Sequence, residues 1–256
     1  MDIKIIVAAH RPYKMPEDDI YLPIHVGKKG KKSFGIIGDD TGDNISEKNP
    51  YFCELTAIYW AYKNLSADYV GLAHYRRQFS LKPKTSDFSC ILSSKEAKEL
   101  LSKNDVILPR KQRYVIENLY SHYAHTHSEE HLKVLREVLS DKAPEYLPYF
   151  EKLKKRTSAH MFNMFIMKRD IFDSYCAWLF DILFEAEKRL DLKSMSAFDR
   201  RVIGRFAELL LDMWIDKNNI EYKEIPYVYM EKVDYKKKIK AFLKAKFFGK
   251  KYDKSF

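Results

Sequence analysis

Residues 69–79 read YVGLAHYRRQF, and this stretch decides the fold that we expect. Tyr69 to Ala73 form a short apolar run of the kind that a buried strand shows. The four residues that follow it are His74, Tyr75, Arg76 and Arg77. Function concentrates at strand ends and in the loops that follow them, so charged residues at this place often meet a ligand. The stretch therefore predicts a central strand that ends in a binding site.

The rest of the chain alternates strands with helices. We predict strands at 3–9, 67–73, 105–108, 160–167 and 223–228, and helices at 50–65, 94–104, 116–139, 169–189 and 198–217. This alternation is typical of an α/β domain with a mostly parallel central sheet. No linker divides it, so we expect a single domain at residues 1–234 and a separate tail at 235–256.

The composition bounds the class of protein. The chain has 256 residues, of which 46% are hydrophobic and 14% aromatic, as expected of one globular domain. No apolar run is long enough to cross a bilayer, and the N-terminal segment lacks the features of a signal peptide. Cys53, Cys90 and Cys176 lie in apolar surroundings and are interpreted as buried free thiols in a reducing cytosol. We therefore expect a cytoplasmic protein.

The tail carries much of the net charge of +10. Residues 235–256 contain nine lysines and one acid, with Ile239, Phe242, Leu243 and Phe247 at helical spacing. A basic helix with an apolar face suits an anionic membrane surface, which predicts peripheral association with the inner face of the cell membrane. The alternative is a solvated helix packed on the domain. Nucleic acid is not expected as a partner, because no nucleic-acid-binding motif is present.

Polar residues follow several of the predicted strands. His10 and Tyr13 follow the first strand, and the loop GDDTGDNISEKNP at 38–50 leads into a helix. The carboxyl ends of parallel strands share one edge of a sheet, where ligands bind. The adjacent arginines of HYRR suit a diphosphate, because each guanidinium can make bidentate, charge-assisted hydrogen bonds. The alternative is that they pair with acids such as Asp39 or Asp43.

This order of elements resembles that of nucleotide-sugar transferases with the Rossmann-like GT-A fold. In those enzymes the corresponding strand ends in Asp-x-Asp, which holds a divalent metal on the nucleotide diphosphate. Here HYRR stands at that place, and positive side chains can stabilise a departing diphosphate as a metal does. We therefore expect no metal cofactor. The alternative is Mn²⁺ or Mg²⁺ held by Asp39, Asp40 or Asp43.

A group of histidines falls within residues 116–139. Its members are His122, His125, His127 and His131. His127 and His131 have a spacing that occurs in metal sites, but HSEEH is not the His-Glu-x-x-His order of zinc proteases. Since no third ligand is evident, we interpret the histidines as a cluster that faces the acceptor or the surface. A serine-hydrolase elbow and a phosphate-binding P-loop are both absent from the sequence.

Four longer motifs carry a more specific resemblance. They are GDDTGDNIS, CELTAIYWAYKNL, GLAHYRR and NMFIMKRDIFDSYCAWLFDIL. In this order, over about residues 3–228, they resemble a bacterial family of capsule, exopolysaccharide and O-antigen gene clusters, often catalogued as a domain of unknown function. Its characterised members are glycosyltransferases, galactofuranosyltransferases among them. One departure is Leu209, where the family pattern Glu-Arg-Leu-Leu has arginine after the position of Glu208.

The resemblance implies a role for each of several residues. It places His10 and Tyr13 near the nucleotide base, Asp43, Asn44 and Glu54 at the donor ribose or sugar, His74, Arg76 and Arg77 at the diphosphate, Asn163 on a strand that lines the sugar pocket, and Arg201 and Glu208 on the wall toward the acceptor. The leading candidates for the catalytic base are Glu208 and Asp199, followed by His74.

The expected reaction follows from these assignments. A UDP-sugar donor, with galactofuranose or galactose by resemblance, would give its sugar to a saccharide on a polyprenyl-diphosphate lipid, with inversion at the anomeric carbon. The alternative from another class is a non-catalytic module that binds saccharides or nucleotides within an assembly complex.

Overall fold

A computed structural model describes residues 1–234 together with Phe242 and Lys246. The predicted basic helix of the tail otherwise lies outside the described residues. None of the helices described is long and apolar enough to cross a membrane.

The described residues form the following strands and helices. The strands are β1 (Ile3–Ala9), β2 (Tyr21–His25), β3 (Ile37–Gly38), β4 (Tyr69–His74), β5 (Arg77–Phe79), β6 (Val106–Pro109), β7 (Gln112–Arg113), β8 (Ser158–Ala159), β9 (Phe165–Lys168), β10 (Lys223–Ile225) and β11 (Tyr227–Tyr229). The helices are α1 (Asn49–Phe52), α2 (Leu55–Asn64), α3 (Ser94–Leu101), α4 (Leu119–Thr126), α5 (Glu129–Lys142), α6 (Leu147–Glu151), α7 (Arg169–Arg189) and α8 (Val202–Lys217).

The central sheet is mostly parallel, as predicted. Its main path runs in the order β10-β6-β9-β4-β1-β2-β3. Strand β9 is antiparallel to both of its neighbours, whereas every other pair on the path is parallel. Six of these seven strands therefore point in one direction. Strand β4 turns back through a tight hairpin into β5, which pairs with β11.

Strands β1 and β4 are apolar throughout because both of their faces are covered. In β1, Ile5 and Val7 pack into one core cluster and Ile6 into the other. Helices α2, α5, α7 and α8 cover one face, and α3 covers the opposite one. Gly71 in β4 permits the close approach of β9, since a Cβ there would lie 2.9 Å from the carbonyl oxygen of Phe165. Such two-sided burial is what an unbroken apolar strand requires.

Several predicted elements are interrupted, among them the strand expected at 223–228, which divides into β10 and β11. The helix expected at 50–65 breaks at Cys53, whose φ of 54° and ψ of −130° separate α1 from α2. The helix expected at 116–139 begins at Leu119, where Asn118 caps it, and breaks at His127 before α5. The strand expected at 160–167 forms only from Phe165 onward. Local periodicity does not resolve such breaks, because each is stabilised by contacts with distant residues.

Candidate active site

A cavity of about 1170 Å³ opens at the carboxyl edge of the parallel strands. Residues after β1, β4 and β6 line it, together with residues just before β9, because β9 runs in the opposite direction. Segments from the breaks around α1 and from the start of α8 close the other side. This is the edge at which the sequence predicted the site.

Seven of the twelve candidate site residues line this cavity, and five do not. Those that line it are His10, Glu54, His74, Arg76, Arg77, Arg201 and Glu208. Those that do not are Tyr13, Asp43, Asn44, Asn163 and Asp199. The roles that the resemblance implies for these twelve residues stay predictions.

Arg77 occupies the floor of the cavity as the first residue of β5. Its guanidinium lies 4.1 Å from the ring centre of Phe162 and 5.3 Å from that of Tyr229. Within residues 1–234 it forms no ion pair, and its Nε is buried without a hydrogen-bond partner. A buried, unpaired guanidinium nitrogen is costly, so Arg77 is poised for an anion supplied by a ligand.

Arg76 has a different environment in the turn between β4 and β5. It lies 5.4 Å from the ring centre of Tyr75 and 3.9 Å from Glu231. Glu231 also accepts a 2.9 Å hydrogen bond from Arg11, so one carboxylate serves two arginines. Neither Arg76 nor Arg77 pairs with Asp39 or Asp43, the acids considered from the sequence.

Glu208 projects from α8 into the same cavity. Its Oε1 accepts a 3.1 Å hydrogen bond from the backbone N–H of Phe162. Burial, together with the nearby charge of Glu54, raises the pKa of Glu208 to about 7, although Arg77 and Arg205 oppose the shift. A carboxylate with a pKa near neutrality is suited to accept a proton at cellular pH.

The other two candidate bases are less suitable. The ring of His74 donates its Nε2 proton to the carbonyl oxygen of Phe162 at 2.7 Å, since a carbonyl can only accept. Burial lowers the pKa of His74, so the neutral ring is favoured. Asp199 does not line the cavity; its carboxylate accepts a hydrogen bond from the Ser196 hydroxyl, and its backbone N–H donates to the same hydroxyl.

The segment before β9 differs from the prediction. Asn163 was placed on a strand lining the sugar pocket, but Phe162 and Asn163 both adopt positive φ, at 75° and 54°. The Asn163 side chain is buried, and its Nδ2 donates to Glu54 at 2.7 Å and to the carbonyl of Gly204 at 3.2 Å. These hydrogen bonds of Asn163 stabilise the turn in which Phe162 contacts Glu208 and Arg77.

Glu54 lies in the break between α1 and α2 and lines the cavity. It is the residue that precedes α2, but its side chain makes no capping hydrogen bond. Instead it binds Asn163 and lies 4.0 Å from His74 Nε2. The side chain of Glu54 therefore lines the cavity and does not cap α2.

Helix α8 supplies one further arginine, Arg205, that was not predicted from the sequence. Arg205 donates to the carbonyl of Phe198 at 2.6 Å and lies 4.2 Å from the Phe198 ring centre. Arg201 donates from Nε to Cys53 Sγ at 3.2 Å. Leu209, the departure from the family pattern, is buried in the core. Arg205 faces the cavity from the same helix, and its i−3 spacing from Glu208 was the available signal.

His10 and Tyr13 flank the ring of Tyr75. The ring centres lie 5.4 Å and 4.9 Å from it, both in edge-to-face geometry. Burial and the nearby arginines lower the pKa of His10, which favours a neutral imidazole. Tyr13 lies behind Tyr75 and donates to the Met230 carbonyl. Of this aromatic group, His10 and Tyr75 reach the cavity.

The acidic residues of the loop at 38–50 do not line the cavity, and Asp39 forms hydrogen bonds within the fold. Asp39 is fully buried and accepts hydrogen bonds from the N–H groups of Gly27 and Lys28 and from the hydroxyls of Ser46 and Thr56. These four donors use the lone pairs that a metal would need. The carboxylate of Asp39 therefore does not fit the alternative of a metal ligand.

The remaining residues of that loop are also engaged elsewhere. Asp40 lies 3.4 Å from Lys28 Nζ, Asp43 accepts from the Tyr59 hydroxyl at 3.2 Å, and Asn44 bonds the Gly42 carbonyl. Asp43 and Asn44 are thus placed near the end of α2 and not in the cavity. No group of three or more His, Cys, Asp or Glu side chains is arranged to hold a metal within the part of the chain that the structure describes.

Two members of the histidine cluster, His122 and His127, lie in the wall of the cavity, whereas His125 and His131 do not. Glu117 is buried and lies 2.6 Å from His125 Nδ1 and 3.3 Å from His122 Nδ1. Phe242 stacks on His122 at 5.3 Å, and Lys246 lies 3.5 Å from Glu117. His122 and His127 line the cavity, and burial lowers the pKa of His127 to about 2. Phe242 and Lys246 therefore contact residues at the rim of the site.

Comparison with known proteins places this architecture in a class. The chain has a GT-A-like glycosyltransferase fold, and it belongs to the family described as a domain of unknown function, DUF4422, whose model matches residues 4–219. The search of curated proteins gave no match.

Among solved structures, the chain is similar to the apo structure of the bifunctional glycosyltransferase WbbM. The two share 32% sequence identity with a TM-score of 0.82, over 91% of this chain. The match covers 46% of the WbbM chain, so this chain spans about half the length of that protein.

Proposed function

We propose that this protein is a glycosyltransferase that moves a sugar from a UDP-sugar to a lipid-linked saccharide in capsular, exopolysaccharide or O-antigen synthesis. The observation that carries the proposal is the arrangement around Phe162. Its backbone N–H holds the carboxylate of Glu208, and its ring packs on the guanidinium of Arg77. One cavity thus holds a base with a pKa near 7 and a cation suited to a diphosphate. Similarity to WbbM supports the same class of activity.

The proposed mechanism is a single displacement with inversion. Glu208 takes the proton of an acceptor hydroxyl as the hydroxyl oxygen forms a bond to the anomeric carbon. The bond from that carbon to the UDP oxygen breaks, and UDP leaves with the electron pair. Arg77, with Arg76 and Arg201, stabilises the negative charge that develops on the diphosphate. His10 and Tyr75 supply ring surfaces for the uracil. By resemblance, galactofuranose or galactose is the proposed sugar.

The activity is tested by incubating the purified protein with a panel of UDP-sugars. A transferase is expected to release UDP, slowly by hydrolysis without an acceptor and faster when a lipid-linked saccharide is added. A protein denatured by heat serves as the control. Binding of UDP-sugars without any release of UDP would contradict the proposal and favour a non-catalytic binding module.

We also propose that the reaction needs no divalent metal. The proposal rests on the commitment of Asp39 to four hydrogen bonds and on the arginines at the place of Asp-x-Asp. Turnover is expected to change less than about twofold when EDTA is added, because guanidinium groups supply the charge stabilisation. Loss of activity with EDTA and its return with Mn²⁺ or Mg²⁺ would contradict this.

The basic tail is proposed to hold the protein at an anionic membrane surface on the cytoplasmic side. Each lysine near such a surface contributes about 1 kcal/mol, which salt screens. Truncation after Asp234 is expected to move the protein from the pellet to the supernatant when it is sedimented with anionic vesicles at low salt. Equal sedimentation of the truncated and full-length proteins would refute the proposal.

A further inference from the structure

A short loop lies at the mouth of the cavity and is anchored by hydrogen bonds at both ends. Its residues, 114–118, lie between β7 and α4. The N–H of Tyr114 donates to the carbonyl of Thr157 at 2.7 Å, and the N–H of Leu119 donates to that of Arg156 at 2.8 Å. Asn118 caps α4 through Ser121. The backbone on both sides of Val115 and Ile116 is therefore anchored to residues 156 and 157 by hydrogen bonds.

The tip of this loop is apolar and exposed. Val115 is 95% exposed and Ile116 is 59% exposed. They are consecutive, whereas the other large exposed apolar residues of the described chain are the separate Met1, Ile37 and Leu81. Single exposed apolar residues are ordinary on protein surfaces, but two adjacent ones on a projecting tip form a contiguous apolar feature.

Exposed cations lie on the two segments next to the tip. Arg110 and Arg113 are exposed just before it, and Lys155 is exposed on the segment that anchors it. Across residues 1–234, Phe242 and Lys246, none of these three side chains forms an ion pair. The only carboxylate on the loop, Glu117, is buried and turned toward His122 and His125. We call Arg110, Arg113, Val115, Ile116 and Lys155 the loop patch.

We propose that the loop patch is a second membrane contact, which inserts Val115 and Ile116 into the headgroup region of an anionic bilayer while its cations meet the lipid phosphates. An apolar tip flanked by unpaired cations matches the interface of such a bilayer, apolar below and anionic above. Val115 and Ile116 also line the cavity. Docking through this patch would therefore set the mouth of the cavity at the membrane surface, whatever reaction occurs inside it.

The test compares vesicle binding by two matched double variants of the full-length protein. Val115→Ser with Ile116→Ser removes the apolar tip without changing charge, and Ile37→Ser with Leu81→Ser does the same at exposed sites outside the patch. With vesicles of phosphatidylethanolamine and phosphatidylglycerol, the loop variant is expected to bind about tenfold more weakly than the control variant. Thermal unfolding of both variants confirms that each is folded.

Two further measurements separate this contact from the tail. With enough vesicles to bind protein that lacks the tail, the tenfold difference must persist when both variants are truncated after Asp234. If this difference in vesicle binding disappears, the loop acts by binding the tail and not the membrane, and the proposal is overturned. In addition, vesicles of brominated lipids are expected to quench the fluorescence of the tryptophan introduced by Val115→Trp. They are not expected to quench that of the tryptophan introduced by Ile37→Trp. Equal quenching at the two positions, or equal vesicle binding by the two serine variants, would also overturn it.

Discussion

Glu208→Gln is expected to lower kcat/KM by about 10²–10⁴, the contribution typical of a positioned general base. Glutamine keeps the oxygen that accepts the Phe162 N–H but cannot take up the acceptor proton. The measurement is steady-state transfer from the UDP-sugar that the wild type uses, with UDP affinity measured in parallel. Affinity for UDP should stay within about twofold, because Glu208 acts on the acceptor hydroxyl.

The pH dependence of the wild type provides an independent check on Glu208. The base must be ionised to act, so kcat/KM should fall as the pH is lowered through about 7, the pKa of Glu208. The variant should lose this limb of the profile. A variant that retained both the rate and the pH profile would show that Glu208 is not the base.

The folding stability of Glu208→Gln distinguishes a chemical role of Glu208 from a structural one. The folded-state pKa of Glu208 lies above its ordinary value of 4.5, so the native state binds more protons than the unfolded state between about 4.5 and 7. Stability therefore declines as the pH rises through that window, by up to about 3 kcal/mol at roughly 1.4 kcal/mol per unit. Glu208→Gln avoids this penalty, and its Tm at pH 8 should equal or exceed that of the wild type.

Arg77→Ala is expected to reduce turnover by about 10²–10³, as removal of one preorganised charge-stabilising donor typically does. The physical reason is the buried Nε without a partner, on a guanidinium that lies near the rings of Phe162 and Tyr229 at the start of β5. A departing UDP carries negative charge that this side chain can meet without reorganisation. The measurement is kcat for sugar transfer, together with the affinity for UDP.

Two companion variants make the Arg77 result specific. Arg77→Lys should recover only part of the rate, because lysine keeps the charge but lacks the planar fork. Arg136→Ala removes an exposed arginine that is paired with Glu151 outside the cavity, and it should leave the rate unchanged. Activity of Arg77→Ala within about twofold of the wild type would mean that the diphosphate is stabilised elsewhere.

The sequence by itself determined the framework of the protein. The unbroken apolar runs of β1 and β4 predicted central strands because strands covered on both faces need no polar alternation. The helix at 169–189 was predicted at its observed bounds, since its amphipathic pattern is long and uninterrupted. The position of HYRR after a buried strand predicted where the cavity lies, because strand direction alone brings such residues to one edge.

Only the tertiary structure decided which polar residues share the cavity. Asp39 and Asn163 look like ligand-binding residues in sequence, yet the Asp39 carboxylate and the Asn163 Nδ2 group form hydrogen bonds within the fold. Arg205 was passed over, although it faces the site from α8. The pKa of Glu208 likewise depends on burial and on Glu54, which is 154 positions away in the chain. Periodicity reports which face of an element is apolar, but hydrogen-bond partners and electrostatic surroundings arise between residues that only folding brings together.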